Sequence, residues 1–256
     1  MDRKIEKITS RSNPVCIHIK KLGSSRSYRE EHGQFISDGK KLLIEALNSA
    51  MTIEIILCST DLDLELPVTT KVYHVSDSII DSLSPLRNSR EVLFVCRIPG
   101  FEEFKYDSGT HILLDTIQDP GNVGTITRSA LAFGIDSIVL SEGSSDIYNP
   151  KTVRASMGAV FKQRINTKSY KDINKLKETG LKFLGTTNNA NAKDITKVSL
   201  KNVIIVLGNE GQGISPDILD LCDDMITIPL GPECESLNVA AAASIIMWEI
   251  SKGKGS

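Results

Sequence analysis

The chain has 256 residues, 40% of them hydrophobic and 24% charged, with a formal net charge of −2 at pH 7. This balance excludes a mainly disordered or fibrous chain, and it excludes a molecule that is basic over its whole surface. The length exceeds one average domain and falls short of two large ones. The five cysteines, Cys16, Cys58, Cys96, Cys222 and Cys234, contain no C-x-x-C pair. A disulfide framework and structural zinc are therefore not expected, and a reducing compartment fits. The opening MDRKIEKITSR has no apolar core after its charges, so it does not read as a secretory signal. The longest apolar run, AAAASIIMW from Ala240, is too short to span a bilayer. A soluble, cytoplasmic protein without a membrane partner is expected.

Residues 1–98 read as a small α/β domain. In FISDGKKLLIEALNS (35–49), Leu42, Leu43, Ala46 and Leu47 fall at helical spacing after an Asp-Gly start. IEIILCS (53–59) and EVLFVCRI (91–98) are β-rich apolar runs, and VYHVSDSIIDSLSP (72–85) reads as a strand and a short helix ending near Pro85. PGFEEFKYDSG (99–109) is polar and carries Pro and Gly, as a linker does. From residue 110 strands and helices alternate. Strands are expected at HILLD (111–115), SIVLS (137–141), LKFLGTT (181–187), the start of NVIIVLGNEGQG (202–213) and MITIPL (225–230). Helices are expected at NVGTITRSALAFG (122–134), TVRASMGAVF (152–161), roughly 170–179, and ESLNVAAAASIIMWEIS (235–251). Continuously apolar strands alternating with helices predict a parallel sheet covered on both faces.

Charge is uneven along the chain. Residues 1–41 hold ten basic and five acidic side chains, and residues 151–182 hold nine basic and two acidic. Either these are two solvated faces, or they are surfaces for a polyanion backbone.

Three segments after residue 110 concentrate residues able to do chemistry. In IQDPGNVGTITRSALAFG (117–134), Pro120-Gly121 makes a turn, Asn122 sits where an N-cap belongs, and Arg128 lies in the second helical turn. In VIIVLGNEGQGIS (203–215), an apolar strand runs into glycines that permit close backbone approach to a ligand. The order is not G-x-G-x-x-G and does not follow the first strand, which argues against a nicotinamide or flavin site. In ITIPLGPECESLNVAAAAS (226–244), a Gly-Pro loop leads into a helix that Ser236 could cap. The histidines His18, His32, His74 and His111 lack metal-ligand spacing, so no metal is expected. No G-x-S-x-G elbow or phosphate-binding G-x-x-x-x-G-K-[ST] loop is present.

Taken in order, LLDTIQDPGNVGTITRSALAFG (113–134), NPKTVRASMGAVF (149–161), IVLGNEGQGIS (205–215) and IPLGPECESLNVAAAASI (228–245) resemble the SpoU, or TrmH-type, RNA ribose 2′-O-methyltransferases of the SPOUT superfamily. The resemblance spans about 110–250, and the N-terminal half looks more loosely like the family's substrate-binding domain. It implies a substrate-binding α/β domain at 1–98, a linker at 99–109, and a methyltransferase domain at 110–256 whose parallel sheet carries a C-terminal trefoil knot. It implies S-adenosylmethionine as cofactor, with Thr186, Leu207, Gly208, Ile228, Leu230 and Leu237 as its contacts. The family's catalytic positions fall on Asn122, Arg128, Glu210, Ser236 and Asn238. A homodimer is implied as well.

These expectations make the chain an enzyme that methylates a ribose in RNA, with ribosomal RNA favoured over transfer RNA. The basic stretches would meet RNA phosphate, with Arg11 and Arg154 as candidates. Arg128 is assigned in the family to activating the ribose hydroxyl, yet guanidinium groups stay charged in proteins, so stabilising an alkoxide is an equal reading. The competing class is an RNA-binding or ribosome-assembly factor on the same fold that does not methylate.

Overall fold

The computed structural model describes residues 5–85, 91–100, 106–189 and 191–253. Residues 101–105 of the expected linker, and Arg3 and Lys4 of the first basic stretch, lie outside the described residues. The chain divides into two compact units: residues 1–100 with 146–161, and residues 101–145 with 162–256.

The first unit runs β1 (Glu6–Lys7), α1 (Pro14–Ser24), α2 (Arg26–His32), β2 (Gln34–Asp38), α3 (Lys40–Asn48), β3 (Ile53–Cys58), β4 (Lys71–His74), α4 (Asp77–Leu83) and β5 (Val92–Arg97). Its sheet has the order β1-β4-β3-β5-β2 and is mixed: β3 pairs parallel with β4, while β5 pairs antiparallel with both β3 and β2. Asn13 caps α1 ahead of Pro14, the residue that suits a first helical position because it has no N–H to leave orphaned. Ile19, Leu22, Ile36, Leu57, Ile80 and Leu93 form one apolar cluster between helices and sheet.

The second unit opens with β6 (His111–Leu114), α5 (Pro120–Ala132) and β7 (Ser137–Ser141). The chain then leaves it for α6 (Pro150–Ala155) and a 3-10 turn at Ala159–Phe161, which cluster with the first unit. It returns through β8 (Ile165–Lys168), α7 (Tyr170–Lys175), β9 (Lys182–Thr186), β10 (Lys193–Asp194), β11 (Val203–Leu207), α8 (Pro216–Leu219), β12 (Asp224–Thr227) and α9 (Val239–Lys252). The seven strands take the order β10-β12-β9-β11-β6-β7-β8, and every pairing is parallel. The strands β6, β7 and β11 are buried along their whole length, as strands covered on both faces must be. Among the described residues no helix is long and apolar enough to cross a membrane.

Three readings of the sequence change. Residues 146–161, expected within the C-terminal domain, pack on the first unit. The helix expected at 152–161 stops at Ala155, because Met157 and Gly158 take φ of +50° and +90°. The edge strands β8 and β10 carried no apolar signal, since INTK buries a single apolar residue, Ile165, and KD buries none at the margins of the sheet.

Ion pairs and rings fasten 146–161 to the first unit. Arg29 is only 4% exposed; its Nε and Nη2 donate to Asp146 Oδ2 at 2.9 and 2.6 Å, and its Nη1 donates to the Leu22 carbonyl at 2.6 Å. Phe35 packs against Tyr148, with ring centroids 4.7 Å apart, and against Phe161. Removing one partner of a buried pair leaves a stranded charge, so Arg29→Ala is expected to cost about 3–5 kcal/mol in urea unfolding. Arg26→Ala, which breaks the exposed Arg26–Glu30 pair, is expected to cost under about 0.5 kcal/mol.

Candidate active site

The parallel sheet brings four loops to one edge. In register, Leu114 lies opposite Leu207, Val206 opposite Gly185, and Ile226 opposite Thr186, so the carboxyl ends of β6, β11, β9 and β12 open side by side. Ligands of parallel α/β sheets bind at that edge.

The loop after β6 begins with strain. Thr116 takes φ +54°, a costly conformation for a β-branched residue, and its position is over-determined: its N–H donates to Ser141 Oγ at 2.9 Å, and its carbonyl accepts from Asn209 Nδ2 at 2.9 Å. Asp119, not Asn122, caps α5: Asp119 Oδ1 accepts from Asn122 N at 3.0 Å. Pro120 at the first helical position makes the residue before it the cap. The Asn122 side chain is thereby left for other partners.

Those partners come from the two other expected segments. Asn238, rather than Ser236, caps α9, its Oδ1 accepting from Ala240 N at 2.9 Å and Ala241 N at 3.4 Å. Its Nδ2 must then point away from the helix, and it donates to Asn122 Oδ1 at 3.2 Å. Asn122 Nδ2 in turn donates to Glu210 Oε1 at 2.6 Å. One directional chain of hydrogen bonds therefore joins residues 122, 210 and 238, whose bonded pairs are 88 and 116 positions apart, because each amide has one orientation that satisfies both neighbours. The same helices pack further along, where Ser129 Oγ meets Ser244 Oγ at 2.8 Å.

Beside this network lies a cavity of about 770 Å³. Leu207, Ile228, Leu230 and Leu237 supply apolar wall, Thr186 and Ser236 polar wall, and Gly208 and Glu210 the loop after β11. Glu210 therefore belongs to both cavity and network, and it is the one charged side chain among the lining residues. Thr186 directs its hydroxyl to the Val206 carbonyl at 2.9 Å. Arg128 stands exposed on α5, outside the lining, and makes no hydrogen bond or ion pair among the described residues. Arg11 and Arg154 belong to the first unit: Arg11 Nη2 donates to the Ser78 carbonyl at 3.1 Å, and Arg154 Nη2 to Asp38 Oδ2 at 2.7 Å.

Two supporting residues escaped the sequence reading. Asn209 closes the glycine loop on itself, accepting from Gly211 N and Gln212 N through Oδ1. Asp115, fully buried, accepts from Ser215 N at 2.7 Å and from the Tyr170 hydroxyl at 3.2 Å. A carboxylate directly after the apolar run ILL was the available signal. Burial pushes the Cys222 thiol up to about 11, so it stays an unreactive thiol.

The chain's relatives carry the same order of parts. Residues 109–248 match the SpoU rRNA methylase family, and residues 13–93 match the MRM3-like substrate binding domain. The chain belongs to the SpoU rRNA methylase family. It is 32% identical over 253 residues to the 23S rRNA (guanosine(2553)-2'-O)-methyltransferase RlmP of Bacillus subtilis, covering 96% of this chain and 99% of that one. An AdoMet-bound rRNA methyltransferase from Sinorhizobium meliloti superposes with a TM-score of 0.86 at 26% identity, over 97% of this chain and 98% of that one. A protein of the TrmH family from Porphyromonas gingivalis gives 0.84 at 30% identity, over 95% and 100%. This SpoU-family chain is an RNA methyltransferase with the SPOUT fold, and its methyl donor is S-adenosylmethionine.

The cavity suits that donor. Its volume falls in the range of small-molecule sites, its apolar walls can hold an adenine, and a lone carboxylate suits a cationic ligand. The loop geometry has little tolerance. A Cβ on Gly208 would collide with the backbone of Gly213 and Ile214, whereas one on Gly211 would meet nothing closer than 3.6 Å. Overpacking costs about 1–3 kcal/mol, so Gly208→Ala is expected to weaken S-adenosylmethionine binding by roughly tenfold or more in titration calorimetry. Gly211→Ala is expected to bind as the parent does.

Proposed function

We propose that this enzyme transfers a methyl group from S-adenosylmethionine to a ribose 2′-hydroxyl of ribosomal RNA. What supports the reading most is that Glu210 is shared by the cofactor-sized cavity and the Asn122–Asn238 network, within a chain of the SpoU family. In this proposal Leu207, Ile228, Leu230 and Leu237 sandwich the adenosine, Thr186 lies beside it, and Gly208 lets backbone come close. The knotted path of the chain at the carboxyl edge of the sheet, and a cytoplasmic location, belong to the same reading.

The bound cofactor would supply a sulfonium methyl, an electrophile for an aligned 2′-oxygen whose hydroxyl proton passes to solvent. The chain's own residues do the alignment. Asn122, Glu210 and Asn238 hold three loops in one arrangement around the ribose, and Ser236 lines the cavity beside them. Arg128 keeps its guanidinium uncommitted for the RNA. Its part is to meet the RNA phosphate and to stabilise negative charge on the 2′-oxygen as that hydroxyl loses its proton. Arg11 and Arg154 would contact RNA backbone on the first unit, Arg154 with its charge shared with Asp38.

A homodimer is the proposed working form. Leu131, Ile245 and Trp248 of α5 and α9 are exposed, Trp248 by 55%, and Phe133 packs edge-on against Trp248. Such an apolar patch fits a self-complementary interface. Trp248→Lys is expected to give a monomer in analytical ultracentrifugation.

The function itself is tested with methyl-labelled S-adenosylmethionine and separate pools of unmodified ribosomal and transfer RNA. The expected product is label in alkali-resistant dinucleotides from ribosomal RNA, since a 2′-O-methyl group removes the hydroxyl that attacks the adjacent phosphate. Label confined to mononucleotides would move the chemistry to a base, and label in transfer RNA alone would change the substrate. Arg128→Ala is expected to lower kcat by about 10²-fold or more with cofactor affinity unchanged.

A further inference from the structure

Away from the methyl-transfer site, the first unit carries a cluster of rings at its surface. His18 lies on α1, and Tyr28 and His32 lie one helical turn apart on α2. Tyr28 and His32 stack with ring centroids 3.9 Å apart, and His18 meets the edge of Tyr28 at 5.6 Å and lies 5.3 Å from His32. His32 is exposed, with Tyr28 and His18 half-buried behind it.

A chain of hydrogen bonds fixes the rings. Gln34 Nε2 donates to Glu54, which leaves Gln34 Oε1 as an acceptor facing His18 Nε2 at 2.8 Å. His18 therefore donates from Nε2, its Nδ1 is the acceptor, and the Tyr28 hydroxyl donates to it at 3.0 Å. Burial lowers the His18 pKa and favours this neutral form. Arg97, opposite Gln34 in the β2–β5 ladder, closes the chain on Glu54. His32 Nδ1 donates to the Tyr28 carbonyl at 3.0 Å, which sets the ring of the outermost member. Two cations flank the cluster: Lys21 Nζ lies 5.3 Å from the Tyr28 ring centre, and Arg97 is largely exposed beyond Glu54.

This is more order than a surface helix needs. Both His18 nitrogens are engaged, so the cluster is not built to ligate a metal. Rings held rigid at a surface, with a cation within reach, match the two halves of a nucleotide: a base to stack and a phosphate to neutralise. Resting on the RNA-methylation reading above, we propose that His32, backed by Tyr28 and His18, is a stacking platform for an unpaired base of the RNA substrate, with Lys21 meeting the adjoining phosphate. A pre-ordered platform binds without first losing side-chain freedom. It selects RNA whose bases are splayed rather than paired, because a duplex offers no free base face.

The test uses the full-length protein and a short fluorescein-labelled oligoribonucleotide of mixed sequence, single-stranded or annealed to its complement, followed by anisotropy. Base–aromatic stacking leads us to expect His32→Ala to weaken single-strand binding about tenfold, with His32→Trp restoring it. Lys21→Ala is expected to lower affinity and to reduce the salt dependence by about one counterion. Cofactor affinity, measured by calorimetry, and the urea unfolding midpoint are expected to be unchanged in every variant, which together report an intact fold of both units. Single-strand binding by His32→Ala within about twofold of the parent, or an equal loss with the duplex, would overturn the proposal. The labelling of ribosomal RNA is read separately. If the parent gave no alkali-resistant label, the methylation reading would fail; unchanged binding by His32→Ala beside intact labelling would remove the platform alone.

Discussion

The site depends on one constraint, the parallel pairing of β6, β11, β9 and β12. Parallel strands point their carboxyl ends the same way, so loops far apart in sequence must open at a single edge. The cavity and the polar network are both consequences. The loop after β6 leads to Asn122, the loop after β11 supplies Gly208 and Glu210, and the loop after β12 supplies Leu230, Ser236, Leu237 and Asn238. An antiparallel meander of the same strands would send half of these to the opposite edge.

Convergence alone does not set an arrangement. Helix capping sets the first amide, because Asn238 must turn its oxygen to the free N–H groups of α9 and so turns its nitrogen to Asn122. Asp119 caps α5 and leaves Asn122 free to pass the orientation on to Glu210. The strain at Thr116 and the buried Asp115 fasten the loops from beneath, through Asn209 and Ser215. These bonds set the orientation of Asn122 and Asn238 at the solvent-facing edge of the site, and a reaction limited by alignment depends on such orientation.

Much of this was legible in the sequence because the central strands are buried on both faces. The runs HILL, SIVLS and VIIVL have no solvent side and read as strands without alternation. The site segments were legible because glycine, proline and cap-forming residues punctuate them. The identity of the cap was less so: D-P-G-N offers two side chains able to cap, and only the preference of proline for the first helical position decides between them. The excursion of 146–161 was not legible at all, since its partner Arg29 lies 117 positions away and nothing local marks the pair. Edge strands such as INTK escaped for the opposite reason from the core, having too little burial to leave a pattern.

The central claim is that Asn122 and Glu210 act as one unit, because each orients the other. A double-mutant cycle measures this directly, with kcat for methyl transfer to ribosomal RNA determined for Asn122→Ala, Glu210→Ala and the combination. The account predicts strong non-additivity, the double variant losing little more than the worse single variant. Losses that simply multiply would show two independent contributions and would contradict it.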